Sequence, residues 1–235
     1  MLTPEQQIAA NYHAVQQRIE AACRRAGRPA GSVRLGAATK YAPLAAVRAL
    51  VALGARNLGE SRPQQLIDRA GQLPHDVHWH LIGHLQRNKV RKVLPATALI
   101  HSIDSFRLLK FLDATAGELQ LRPEVLLEVN ISGEAAKDGV SPEALRSEWN
   151  SVDAFHHVRI AGLMTMAPFS DDPEVARPVF RALRELRDEL ATAGRPLAEL
   201  SMGMSGDFEV AIEEGATLVR IGSILFEGVP GYQSP

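Results

Sequence analysis

Short apolar segments alternate with longer amphipathic stretches along most of the chain. The apolar segments are four to eight residues long and rich in Val, Ile, Leu and Ala, which is typical of parallel strands buried on both faces. The pattern predicts eight strands, at residues 33–39, 56–59, 77–82, 98–103, 124–131, 159–164, 198–202 and 217–221.

The stretches between the strands carry apolar residues at three- and four-residue spacing, and most of them open with Pro, Ser or Asp. This period and these first residues indicate helices that pack on one face. The predicted helices are residues 3–26, 43–53, 105–119, 141–154, 173–193 and 208–214, and the basic run at 87–92 is interpreted as a solvated helix face.

Repeated strand–helix units favour one closed barrel. No linker rich in Pro, Gly or Ser interrupts the units, and no change of composition divides the chain. We therefore predict a single domain over residues 1–235, an α/β fold of the (β/α)₈ TIM barrel type with an extra N-terminal helix at about 3–26. A doubly wound open sheet is the alternative.

Composition narrows the class of protein. The 235 residues are 46% hydrophobic and carry a net charge of −1, so general attraction to nucleic acid or to an anionic membrane is not expected. Cys23 is the only cysteine, which excludes a disulfide framework within one chain. The polar start at residues 1–7 does not resemble a signal peptide, and no apolar run is long enough to span a membrane, so we expect a cytoplasmic protein.

Lys40 directly follows the first predicted strand. In a barrel, residues after the carboxyl ends of the strands line the site. Partial burial disfavours the ammonium form of a lysine and leaves a free amine that can attack a carbonyl carbon and form a Schiff base. The alternative is a lysine whose stem packs on the strand end while its charge reaches solvent.

Two turns near the end of the chain are candidates for phosphate binding. Residues 200–207 pass from a strand through small residues into a helix, and residues 219–223 end in Gly222 and Ser223. Backbone N–H groups and helix N-termini bind phosphate, and the loops after strands seven and eight are the usual phosphate site of a barrel. The alternative for the first turn is N-capping by Ser205 or Asp207.

Other chemistries find less support. His78 and His80 lie on one face of a strand and His84 follows, but the spacing offers no further ligand, so we expect no metal and a strand histidine that bonds within the core. The chain lacks Gly-x-Ser-x-Gly, Gly-x-Gly-x-x-Gly and a Walker loop, which argues against a serine hydrolase and against dinucleotide or nucleoside triphosphate binding.

Several blocks of sequence together resemble one family. They are 38–40, 58–60, 79–89, 101–104, 129–132, 162–165, 200–207 and 219–223, and the longest reads Trp-His-Leu-Ile-Gly-His-Leu-Gln-Arg-Asn-Lys. They resemble the pyridoxal phosphate homeostasis proteins, also called proline synthetase co-transcribed homologues, which are similar to the barrel domain of alanine racemase. The resemblance covers nearly the whole chain.

The resemblance implies pyridoxal 5′-phosphate (PLP) as cofactor and a role for each matching position. Lys40 would form the aldimine, and Arg220 would face the pyridine nitrogen. The phosphate would be held by Ser205, Gly222 and Ser223, with Gly206 helping through its backbone.

The sequence departs from the family at two positions. Ser61 stands where the family has an asparagine after Gly-Glu, so any contact of that residue with the ring falls to the shorter serine. Tyr41 follows the lysine in place of a smaller residue. Ser223 keeps the hydroxyl of the threonine that is common there.

The resemblance and the residues favour a binding protein over an enzyme. An arginine at the pyridine nitrogen cannot give up a proton, which weakens the electron sink that carbanion chemistry needs. A racemase also needs a second base opposite the lysine, and only residues 226–235 follow the last turn. We expect a monomer without robust catalysis that takes part in PLP homeostasis, with the cofactor as ligand and apo-enzymes that receive it as partners, but neither nucleic acid nor membrane. The alternatives are a racemase-like enzyme acting on amino acids and a barrel enzyme for a sugar phosphate.

Overall fold

The computed structural model describes residues 2–134 and 137–232. Eight strands alternate with helices, and α1 precedes the first strand. In chain order the elements are α1 (Pro4–Arg25), β1 (Arg34–Ala38), α2 (Leu44–Ala52), β2 (Asn57–Glu60), α3 (Pro63–Ala70), β3 (His78–Leu81), α4 (Arg87–Val93), β4 (Leu99–Ile103), α5 (Phe106–Glu118), β5 (Glu124–Glu128), α6 (Pro142–Glu148), β6 (Arg159–Met164), α7 (Arg177–Leu190), β7 (Glu199–Ser201), α8 (Phe208–Glu213), β8 (Leu218–Ile221) and α9 (Ser223–Phe226). Single 3₁₀ segments lie at Leu94–Ala96, Trp149–Ala154 and Pro173–Ala176.

The strands form a closed parallel barrel in chain order, because β1 pairs with both β2 and β8. Ala37 is the neighbour of Leu58 on one side and of Ile221 on the other. The predicted (β/α)₈ barrel with an extra N-terminal helix is confirmed, and the doubly wound alternative is wrong. Closure brings the ends of β7, β8 and β1 side by side.

All eight predicted strands are present, and most are shorter than predicted. The segment predicted at 124–131 ends as a strand at Glu128, because Val140 N donates to Glu128 O and Asn130 N donates to Val140 O. The chain beyond Glu128 therefore pairs with its own loop. Two predicted helices, 141–154 and 173–193, each include a 3₁₀ turn, and the pattern does not predict the short helices α3 and α9.

Apolar side chains fill the inside of the barrel in one small cluster, separate from the large core between the strands and the helices. The inner cluster comprises Leu99, Leu126, Ala161, Met164 and Leu218. Among the residues described, no helix combines the length and the apolar character that crossing a bilayer requires.

The extra helix α1 packs beside the end of the barrel sequence. Its apolar face buries Ile8, Val15 and Ile19, and Asn11 Nδ2 donates to Leu225 O at 3.1 Å and to Glu227 O at 2.9 Å. Thr3 caps the helix through a reciprocal bond with Gln6. These bonds hold α9, and with it the turn after β8, against the body of the protein.

Candidate functional site

The segment around Lys40 is held by an arginine of α3, the helix that follows β2. Arg69 on α3 donates to Thr39 O at 2.8 Å and to Ala42 O at 2.6 Å, and Ala42 N closes a turn onto Thr39 O at 2.8 Å. Lys40 itself is half-buried, and its Nζ lies 4.7 Å from the centroid of the Tyr41 ring. The backbone on both sides of the lysine is thus fixed at the end of β1.

A buried carboxylate completes this support. Glu60, at the end of β2, is fully buried, and its Oε1 accepts from Thr39 Oγ1 and from Arg69 Nη1, each at 2.5 Å. Burial raises the pKa of Glu60, while the bonds from Thr39 and Arg69 oppose that rise. Its Oε2 has no partner within the described part of the chain.

The turn after β7 offers free backbone donors. Gly203 adopts φ +93°, a conformation that favours glycine, and a Cβ there would lie 2.6 Å from the Cβ of Ala211. Met204 N donates to Asp207 Oδ1 at 2.6 Å, so the Asp207 side chain closes the turn. Over residues 2–134 and 137–232, the N–H groups of Ser205 and Gly206 donate to no acceptor. Asp207 is the N-cap residue of α8, but no side chain accepts from the first N–H groups of that helix, so the alternative prediction of side-chain N-capping by Ser205 or Asp207 is wrong.

The turns after β7 and β8 are joined directly. Gly222 N donates to Ser205 Oγ at 3.3 Å, and Arg220 N donates to Gly203 O at 2.9 Å. Ser223 begins α9, whose first N–H groups have no partner inside the helix. A Cβ on Gly222 would lie 3.1 Å from Ala38 O, so this turn packs against the strand end that precedes Lys40. Ser205, Gly206, Gly222, Ser223 and Lys40 therefore come from neighbouring strand ends, and we call the first four the turn pair.

Ser61 follows β2, next to the end of β1. Its backbone touches the turn after β3 so closely that a Cβ at Gly83 would come within 2.7 Å of Ser61 Cα. The Ser61 hydroxyl makes no hydrogen bond within the described residues, and its predicted contact with the ring stays a prediction.

Arg220 points into the barrel and is 6% exposed. Its Nη1 donates to Ser201 Oγ at 2.6 Å and its Nη2 to Thr165 O at 2.9 Å. Within the described residues, no carboxylate lies within 4.0 Å of it and Nε donates to no acceptor. Burial lowers the pKa of Arg220 to about 10, while Asp207 and Glu128 act in the opposite direction, so the guanidinium stays charged at neutral pH.

A chain of polar side chains continues from Arg220 across the barrel. Ser201 Oγ lies 2.8 Å from His101 Nδ1, and His101 Nε2 lies 2.9 Å from His80 Nδ1. Arg220 can only donate, so each of the three side-chain contacts pairs one donor with one acceptor if the Ser201 hydroxyl donates to His101 Nδ1 and His101 Nε2–H donates to His80 Nδ1. Both imidazoles are then neutral. We call Arg220, Ser201, His101 and His80 the barrel relay.

The electrostatics agree with neutral imidazoles. Burial lowers the pKa of His80 to about 3, helped by Arg34 and His78. Burial also holds the pKa of His101 well below its usual range, and His80 and Arg220 add to the effect. A charged imidazole beside the buried guanidinium would be strongly unfavourable.

The histidines considered as metal ligands do not converge. His78 is exposed, His80 bonds to His101 as predicted for a core histidine, and His84 lies at the rim beside Asp104. Sequence reasoning missed His101 and Ser201 as parts of a network. Both are polar residues at inward-facing positions of otherwise apolar strands, and this is the sequence feature that could have revealed them. Their contact with each other, however, depends on the register between the strands of the barrel.

The chain is similar to proteins of known sequence and structure. A family model described as the N-terminal domain of alanine racemase matches residues 6–230. The pyridoxal phosphate homeostasis protein of Aquifex aeolicus is 44% identical over 214 residues, 90% of this chain and 94% of that protein. The structure of PipY from Synechococcus elongatus with PLP bound is 37% identical, with a TM-score of 0.76 over 90% of this chain and 99% of that one. Alanine racemase from Bartonella henselae is 15% identical, with a TM-score of 0.75 over 98% of this chain and 61% of that one, which shows the fold alone.

Proposed function

This chain belongs to the family of pyridoxal phosphate homeostasis proteins, and we propose on that basis that it binds PLP as an aldimine on Lys40 and holds it without robust catalysis. PLP supplies an aldehyde for the lysine amine and, on bound amino acids, an electron sink. The observation that carries the proposal is the joining of the turn pair, through the bond from Gly222 N to Ser205 Oγ, beside the strand end that bears Lys40.

The turn pair fits a phosphate group. The N–H groups of Ser205 and Gly206 and the first turn of α9 supply donors, and the hydroxyls of Ser205 and Ser223 can add two more. Such donors stabilise an anion most when they need no rearrangement. Gly203 and Asp207 already fix the first turn, which supports binding to a preformed site.

Arg220 fits the ring end of the cofactor. Its bonds to Ser201 and Thr165 fix the plane of the guanidinium and leave Nε without a protein acceptor in the described chain. A guanidinium is a donor only, so a pyridine nitrogen facing it would accept a hydrogen bond and stay unprotonated. The barrel relay holds the arginine in place, and the described residues provide no carboxylate that could take over as its partner.

Lys40 fits the aldehyde end. Its amine would condense with the aldehyde carbon with loss of one water, and the bonds from Arg69 to Thr39 O and Ala42 O restrict where that amine can reach. Arg220 would leave the pyridine nitrogen unprotonated, which makes the ring a weak electron sink. This weak electron sink supports the carrier role over catalysis.

The test of binding is spectroscopic. The purified chain is expected to be yellow or to become so with added PLP, with an absorbance band that Lys40→Ala abolishes and that the exposed-lysine control Lys89→Ala keeps. A colourless chain that gains no band with PLP would refute the binding proposal.

The test of the carrier role is isotopic exchange. The PLP-loaded chain is incubated with single-enantiomer amino acids in heavy water, and deuterium at Cα is measured. We expect exchange far slower than the turnover of ordinary enzymes, about 1–10³ per second. Exchange within that range would establish a racemase-like enzyme instead.

Three further expectations belong to this proposal: a cytoplasmic location, a monomer, and delivery of PLP to apo-enzymes. Size-exclusion chromatography with light scattering tests the monomer directly. Mixing the loaded chain with an apo-enzyme, and following recovery of that enzyme's activity in the presence of a trap for free PLP, tests delivery.

A further inference from the structure

The amino group of Lys40 rests on an aromatic ring. Its Nζ lies 4.7 Å from the centroid of the Tyr41 ring, within the distance at which a cation is attracted to the negative face of a ring. Over residues 2–134 and 137–232, this amino group donates no hydrogen bond and has no carboxylate within 4.0 Å. Among these residues, the Tyr41 ring is therefore the partner of the amino group.

The two side chains leave a turn whose backbone is held on both sides. Gln65 Nε2 donates to Lys40 O at 3.1 Å, and Arg69 Nη2 donates to Ala42 O at 2.6 Å. Tyr41 is half-buried, as Lys40 is. Because the backbone is fixed, the two side chains have few positions to choose from, and the contact between ring and amino group belongs to the turn itself.

The last described segment of the chain packs beside this turn. A Cβ on Gly231 would lie 3.7 Å from Pro43 Cγ, and Tyr232 stacks on Phe226 with ring centroids 5.6 Å apart. Burial raises the pKa of Tyr232, and Tyr41 adds to the rise, so the two phenol groups lie near each other. A partly buried ring attracts a cation more strongly than an exposed ring does, because less water competes for the charge.

Given the proposed PLP binding on Lys40, on which this inference rests, we propose that Tyr41 holds the amino group of Lys40 in the cofactor-free protein and so makes the covalent bond to PLP easier to break. Release adds one water across the C=N bond. The carbon keeps the oxygen, and Nζ leaves with both hydrogens and takes a third from solvent.

The Tyr41 ring acts by preferring one of the two states of the lysine. An ammonium concentrates its charge on Nζ, whereas a Schiff base spreads any charge over the conjugated ring system of the cofactor. The face of the Tyr41 ring therefore favours the released state, and a group can shift an equilibrium only through such a difference between its two states. At a partly exposed site the difference corresponds to about a two- to fivefold change in the equilibrium.

The first test needs no PLP. The cofactor-free chain is treated with formaldehyde and cyanoborohydride, and mass spectrometry follows methylation of Lys40, with the exposed Lys89 as internal reference. Only the unprotonated amine is a nucleophile. We expect Lys40 to react about two- to fivefold faster in Tyr41→Leu than in Tyr41→Phe, because phenylalanine keeps the ring face. Equal rates in these two variants would overturn the proposal.

Leucine is also smaller than tyrosine, so trifluorophenylalanine at position 41 separates the ring face from access to the amine. Fluorine withdraws electron density from the face of the ring and leaves its shape almost unchanged. A rate in this variant above that of Tyr41→Phe supports the proposal. A rate equal to that of Tyr41→Phe would count against it, since access would then control the reaction.

Absorbance titration with PLP tests the consequence for the cofactor. We expect Tyr41→Leu to bind PLP about two- to fivefold more tightly than Tyr41→Phe. Phe111→Leu, which changes an exposed ring on α5, is expected to bind PLP as the unmodified chain does. Equal affinities in Tyr41→Leu and Tyr41→Phe sink the inference and leave the proposed function standing. A chain that binds no PLP in any form refutes the proposed function, and this inference with it.

Discussion

The barrel relay makes stability depend on pH through His80. Replacing His80 by Gln removes a titrating group and keeps an oxygen that can accept from His101 Nε2–H. In the native protein the pKa of His80 is about 3, against an ordinary value of 6.5. Below pH 6.5 His80 is therefore protonated in the unfolded chain but stays neutral in the folded chain. Stability from this group is fully present above the ordinary value and is lost as pH falls toward 3.

The size of the effect follows from the shift. Each such histidine contributes a slope of up to about 1.4 kcal/mol per pH unit, so His80 alone lowers the free energy of unfolding by about 2 kcal/mol between pH 8 and pH 5. His101 acts in the same direction, since its pKa is lowered as well. In His80→Gln, the pH dependence of the free energy of unfolding is expected to lose the contribution of His80 and to keep the contribution of His101.

Urea unfolding at pH 8, 7, 6 and 5 measures the slope. His80→Gln can lower stability at every pH, so the informative quantity is the difference between its curve and that of the unmodified chain. We expect that difference to narrow by about 2 kcal/mol from pH 8 to pH 5. His13→Gln, at an exposed position on α1, controls for the loss of a histidine. If the free energies of unfolding of His80→Gln and of the unmodified chain changed with pH in parallel, the claim that His80 is buried and neutral in the barrel relay would be refuted.

Three further predictions concern the support of the site. Arg69→Met leaves the buried Glu60 without its cation and should lower the free energy of unfolding by about 3–5 kcal/mol in urea unfolding. The double variant Arg69→Met/Glu60→Gln should recover part of that loss. An equal loss of stability in the single and the double variant would contradict the ion pair. Ser205→Ala and Ser223→Ala should each weaken PLP binding about ten- to hundredfold in an absorbance titration, as expected for a lost bond to a charged group. Gly203→Ala should destabilise the fold by at least about 1–3 kcal/mol in urea unfolding because of its positive φ, and an unchanged midpoint would argue against the turn.

The local pattern of apolar and polar residues was enough to predict the barrel and to predict that the turns after β7 and β8 lie together. The strand segments are continuous and apolar, and the small residues at 203–206 and 222–223 mark turns by their type alone. Chain order in a closed barrel then puts the ends of β7, β8 and β1 together, without any knowledge of side chains.

The barrel relay and the contact between Asp138 and His84 depend on how different segments meet, which the pattern within one segment does not contain. His80, His101 and Ser201 come from three strands, and only the register between those strands brings them to hydrogen-bonding distance. Asp138 meets His84 because the chain beyond Glu128 pairs with its own loop, where the pattern predicts more strand. Support for Lys40 by Arg69 likewise comes from α3, a helix of eight residues that the periodicity does not reveal.

The central claim is that Lys40 carries PLP. Reducing the PLP-loaded chain with borohydride, digesting it and locating the modified peptide by mass spectrometry tests this claim directly. We expect the pyridoxyl phosphate mass on the peptide that contains Lys40 and on no other peptide. An unmodified Lys40 peptide, or the modification on another lysine, would contradict it.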